Sequence, residues 1–182
     1  MKEPLDSLAQ RLQSMRLQFD TSFAQPLAVT DVPTQKLLAI QAGEGRFALP
    51  LTACASIQAC PKVVALPAAP PGLLGIAGVR GRLLAVYRLA ALLGASHQAA
   101  PPRWLLVARA DEQVGFAVEN IDAYLQVFST EIFPISLRAE LQNPFCSELL
   151  IHQGSARPLL QLDAMVAAVN RSAPASPSAK EP

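Results

Sequence analysis

The sequence predicts a mainly β protein, a small barrel or sandwich, closed by a short C-terminal helix. Two observations carry this. Apolar runs of four to six residues recur from Leu37 to Leu162, and turn residues separate them in pairs: Gly43-Glu44-Gly45, Asp111-Glu112 and Gln153-Gly154-Ser155. The abundant Ala and Leu would suit helices, but 16 prolines in 182 residues break the chain too often for long ones.

The elements follow in order. Leu5, Leu8, Leu12, Met15 and Phe19 recur at helical spacing, so an amphipathic helix and a linker with Pro26 and Pro33 are expected over 1–33. That helix packs on its own domain or is offered to a partner. Leu37–Ala42 and Arg46–Leu51 form a hairpin, and Pro50 places the second strand at an edge or ends it early. Thr52–Ile57 reads as a short turn or helix leading into another extended run, and Val63–Leu66 as a short strand. The run Pro67 to Gly72 fits neither helix nor central strand. Leu89–Leu93 suits a helical turn stopped by Gly94, and Ala95–Pro102 a loop. Trp104–Ala108 and Val114–Val118 form a second hairpin, followed by a strand at Tyr124–Phe128 and irregular chain over Ser129–Asn143. Leu149–His152 and Arg157–Leu162 pair around their turn, and Asp163–Val169 is the closing helix. Residues 171–182, RSAPASPSAKEP, have the composition of a disordered tail.

Composition narrows the function. Fifteen Lys+Arg against 14 Asp+Glu leave a formal charge of +1, without the basic excess expected of a generic nucleic-acid binder. Hydrophobic residues reach 51%, yet the best uncharged stretch, Val63–Val79, holds three prolines and three glycines and cannot span a bilayer. The N-terminus lacks an apolar signal core, so a cytoplasmic chain is expected. Cys54, Cys60 and Cys146 show no CxxC spacing, and His97 and His152 no ligand spacing; neither disulfide, metal nor cofactor is expected. No Ser, His or Cys constellation or carboxylate pair suggests catalysis, and Glu119 reads as a solvated strand end.

The segment Leu74 to Tyr87 is the most informative. Glycines at 72, 75, 78 and 81 point to tight turns and close backbone approach. No Lys-Ser/Thr follows them, so they make no phosphate cradle. On an unbroken strand Arg80, Arg82 and Arg88 would share a face, either a solvated barrel surface or an interface. Tyr87 falls on the opposite parity, which disfavours a stacking platform for nucleic acid.

The run LGIAGVRGRLLAVYRL, residues 74–89, resembles the signature of the CheW family of chemotaxis coupling proteins, roughly G-V-x-N-L-R-G-x-V-x-P-V-x-D-L. Gly75, Val79, Arg80, Gly81, Val86 and Leu89 match in type and spacing. Arg46-Phe47-Ala48-Leu49, Val64-Ala65-Leu66-Pro67, Val114 to Ile121 and Leu159 to Ala164 extend the resemblance over about residues 36–169. The chain departs from the pattern at Gly78 (Asn), Ala85 (Pro), Arg88 (Asp), Glu119 (Asp) and Ser56, where an acid is usual. The wording of the motif and the N-terminal helix are most similar to the PilI-like couplers of type IV pilus (twitching) systems.

The resemblance implies two five-stranded SH3-like barrels sharing a core over 34–170, and no catalysis. It implies a scaffold that bridges the cytoplasmic tip of a methyl-accepting chemoreceptor to the regulatory domain of a CheA-type histidine kinase, recruited to membrane arrays. Arg80 is then the receptor-binding arginine, Val79, Cys54 and Ser56 line its groove, and Gly75, Gly78, Gly81, Arg82 and Arg88 shape the loop or join the interface. A stand-alone barrel binding a small ligand or nucleic acid, a coupling domain with altered partners, and a Cys54 enzyme are the competing readings.

Overall fold

The computed structural model describes residues 33–67, 69–95, 100–135 and 143–172. The expected N-terminal helix, His97 and the tail beyond Ser172 lie outside these residues. Among the described residues, eleven strands form two antiparallel-dominated sheets. The first runs β8-β1-β2-β11-β10-β9, built from β1 (Thr34–Ala42), β2 (Gly45–Pro50), β8 (Asn120–Phe128), β9 (Ile132–Pro134), β10 (Cys146–His152) and β11 (Ser155–Leu160). The second runs β3-β6-β7-β5-β4, from β3 (Cys54–Ala59), β4 (Leu73–Val79), β5 (Arg82–Arg88), β6 (Trp104–Ala108) and β7 (Val114–Val118). Two short helices, α1 (Leu89–Leu92) and α2 (Leu162–Ser172), complete the described chain.

Strand alternation sorts the side chains into three cores. Leu37, Ala48, Val127, Leu150 and Leu159 fill the inside of the first sheet. Ala77, Val79, Leu84, Val86, Leu105, Val107 and Ala117 fill the inside of the second. Between them lies the largest cluster, including Leu38, Ile40, Leu106, Phe116, Val118 and Met165. Neighbouring residues therefore serve different cores: Leu37 and Leu38 on β1, Leu105 and Leu106 on β6, Phe116 and Ala117 on β7. Strands buried on both faces read as continuous apolar runs, as Trp104–Ala108 and Val114–Val118 do. This is the expected pair of barrels sharing a core, with a sixth, three-residue strand in the first sheet.

The hairpin turns obey local chemistry. Arg80 (φ 50°) and Gly81 (φ 79°) sit between the paired Val79 and Arg82, and Gln153 (φ 48°) and Gly154 (φ 76°) between His152 and Ser155. Two successive left-handed residues make the type I′ loop, whose twist matches that of the strands it joins.

Several local expectations change. Arg80 to Arg88 is not one strand: the turn at Arg80-Gly81 splits it, so Arg80 leaves the strand face altogether. Arg82 and Arg88 do share a side of β5, but it is the side of Leu84 and Val86, the barrel interior, with one arginine at each end. Val63–Leu66 forms only a single bridge, Val64 to Ile76, because Pro67 ends the extended run. Pro50 ends β2 but not at a sheet edge, since β2 lies between β1 and β11. The Ser129–Asn143 stretch contains a 3₁₀ turn and β9, and the closing helix runs on through Ser172.

Glu119 is buried, 5% exposed, not solvated. It sits where the chain crosses from β7 to β8. Its Oε2 accepts the Gly43 N–H at 2.9 Å, and its Oε1 lies 3.7 Å from Arg88 Nη1. The carboxylate thus ties the β1–β2 turn of one sheet to the end of β5 in the other. Removing its charge leaves a guanidinium without that carboxylate and weakens the bond to the turn. Glu119→Gln is expected to lower unfolding free energy by about 1–3 kcal/mol, read from urea melts; an unchanged midpoint would show that the tie carries no stability.

Candidate functional site

The second sheet curls until its edge strands β3 and β4 face one another. One end of the gap is filled by residues 60–66: Cys60 N–H donates to Arg103 O, and Val64 exchanges two backbone hydrogen bonds with Ile76. Gly75, at φ 142°, permits this approach, because a Cβ there would stand 2.0 Å from Val64 O. The other end is an open pocket of about 310 Å³.

Eight residues line that pocket. Ala55 and Ser56 come from β3, Val79 from β4, Arg80 from the turn, Arg82 and Leu84 from β5, Val107 from β6 and Glu112 from the β6–β7 turn. A bulge at Ala55 allows the successive residues Ala55 and Ser56 both to line it, where plain alternation would separate them. Val79, Leu84 and Val107 are buried members of the barrel core that line the pocket, so the floor is apolar. The rim is charged. Arg82 Nη1 donates to Glu112 Oε2 at 2.7 Å on an exposed surface. Arg80 is exposed and makes no hydrogen bond or ion pair to any described residue. Two guanidiniums against one carboxylate leave the rim positive.

The residues named from the sequence divide accordingly. Ser56, Val79, Arg80 and Arg82 meet at the pocket, and Gly81 supplies the turn that presents Arg80. Gly75 and Arg88 lie toward the closed end. Gly78 is exposed on the edge strand with no atom within 4 Å of an added Cβ. Cys54 does not line the pocket: it is 4% exposed in the shared core, and its carbonyl accepts a 2.9 Å hydrogen bond from Arg109 Nη2. Burial pushes its thiol up to about 11, partly offset by the Arg109 charge, and burial does the same to Cys146. A buried thiol protonated at neutral pH is no nucleophile, which counts against cysteine catalysis.

Sequence reading missed Glu112 and Val107. Parallel pairing of β5 with β7, Ala85 opposite Val114, carries the β6–β7 turn to Arg82 across thirty residues of chain. Only the opposite charges of two hairpin turns hinted at it. Another missed residue is Arg109, whose Nε donates to Thr52 O at 2.7 Å and fastens the 3₁₀ turn before β3. His152, read as exposed or partly packed, pairs with Glu131 at 2.7 Å; that bond and the Phe128 N–H hold the Glu131 carboxyl below its usual range. Among the described residues no cluster of three His, Cys, Asp or Glu could hold a metal ion, and no helix is long and apolar enough to cross a membrane.

The family model of the CheW-like domain matches residues 36–170. The chain belongs to the CheW-like family. Comparison with curated protein sequences gives no match. Among solved structures, this CheW-like chain is similar to the scaffolding protein TtCheW from Thermoanaerobacter tengcongensis, with a TM-score of 0.62 at 15% identity, covering 70% of this chain and 88% of that one. At that identity the likeness is one of fold.

Proposed function

We propose that this CheW-like protein is a non-enzymatic scaffold joining the cytoplasmic tip of a methyl-accepting chemoreceptor to the regulatory domain of a CheA-type histidine kinase. The observation that carries the reading is Arg80. A two-residue turn holds its guanidinium at the rim of an apolar pocket, without a partner among the described residues. An arginine so placed can fix the register of a docked helical segment while its apolar side chains meet Val79, Leu84 and Val107. Family membership and the likeness in fold to the scaffolding protein TtCheW support the same reading. The motif wording further favours a type IV pilus system and a cytoplasmic site beneath receptor arrays.

Binding of a purified receptor cytoplasmic fragment and, separately, of a CheA-type regulatory domain tests it. Both should bind, and only the receptor should be sensitive to Arg80. A shift with an oligonucleotide or a small ligand and no response to either protein would replace it with the stand-alone binding module.

A further inference from the structure

The Arg82–Glu112 pair lies on the rim of the pocket assigned above to the receptor, and this inference rests on that pocket. We propose that Glu112 is an internal competitor: an acidic side chain of the partner displaces it and is held between Arg80 and Arg82.

Three observations converge. The pair is a single 2.7 Å contact with side chains 70% and 54% exposed, the kind that solvent weakens and a better-placed anion can replace. Arg80 shares the pocket with Arg82 and has no described partner, so the rim carries a second guanidinium ready for the same carboxylate. The Glu112 side chain bonds only to Arg82 among the described residues, and the turn that carries it is held by Asp111: Gln113 N–H donates to its Oδ1 and Val114 N–H to its carbonyl. Glu112 can therefore swing away without disturbing the backbone.

The occupant follows from this chemistry. The apolar floor takes a branched or aliphatic side chain, and the rim takes a carboxylate beside it, so the partner is a protein segment with an acid next to an apolar residue. Glu112 then sets a threshold. A neutral or basic segment cannot release Arg82, and the intact pair discriminates against it.

The test titrates the full-length protein with a Glu-Leu-rich peptide and its Gln-Leu counterpart, following amide shifts of Ser56, Gly81, Arg82 and Gln113. Glu112→Gln should tighten the acidic peptide by about two- to fivefold, the range one exposed pair can supply. Arg82→Gln should weaken it by a similar factor, and both differences should shrink in high salt. Unchanged affinity in Glu112→Gln, or equal binding of the two peptides, overturns the proposal. A receptor fragment forms the second arm. If the peptide behaves as expected but the receptor never binds, the competitor role stands and the receptor reading falls. If the receptor binds and ignores Glu112→Gln, the competitor role falls and the receptor reading stands.

Discussion

Gly75→Ala is expected to destabilise the protein by about 3–5 kcal/mol, a large share of the 5–15 kcal/mol that holds a domain folded. An added Cβ would stand 2.0 Å from Val64 O, 2.7 Å from Val64 C and 2.9 Å from Ala65 Cα. All three are backbone atoms, so no side chain can turn aside. The backbone angle, φ 142°, is itself one that L-residues rarely adopt. Relief requires moving the 60–66 segment, which breaks the two Val64–Ile76 hydrogen bonds and uncovers the barrel core near Val63 and Leu74. Gly78→Ala, three residues along the same strand, is the matched control. Nothing lies within 4 Å of its Cβ and its φ is ordinary, so its unfolding free energy from urea melts should shift by no more than about 0.5 kcal/mol in either direction. Similar losses in both variants would show that the close approach is not the cause.

Arg80→Asn is expected to abolish most receptor binding, by about tenfold or more, without loss of stability. Arg80 occupies a left-handed position that costs a side chain with Cβ about 1–2 kcal/mol, and Asn-Gly is the preferred pair for this turn. The variant should melt at the same temperature or slightly higher. Arg80→Glu keeps the turn strain and reverses the charge, so it should bind still less. Isothermal titration with the receptor fragment, beside thermal melts, separates the effects. Full binding by a folded Arg80→Asn would remove Arg80 from the interface.

The glycine segment shows how far sequence reading reaches. Four glycines at a three-residue spacing look equivalent, yet they do different work. Gly81 carries a local turn signal, an Arg-Gly pair between apolar runs, even though strand alternation alone would run straight through Arg80. Gly75 is not, since its requirement comes from Val64, eleven residues earlier, laid across it. Glu119 was misread for the same reason. In the sequence it ends an apolar strand, as a solvated residue would; in the fold that strand end is the crossing between two sheets, and the β1–β2 turn closes over it.

By itself the sequence determined the mainly β class, most of the hairpins, the closing helix and, through residues 74–89, the family, but not the strand β9 in the stretch read as irregular. These depend on alternation, turn propensity and motif spacing, all carried within a few residues. Only the tertiary structure decided which face of each strand meets which core, that Cys54 lies beneath the surface while Ala55 reaches the pocket, and that Arg82 meets Glu112. Those facts rest on parallel pairings, a bulge and the curling of a sheet until β3 faces β4. Such long-range closures are set by packing the whole chain at once, and no short window of residues contains them.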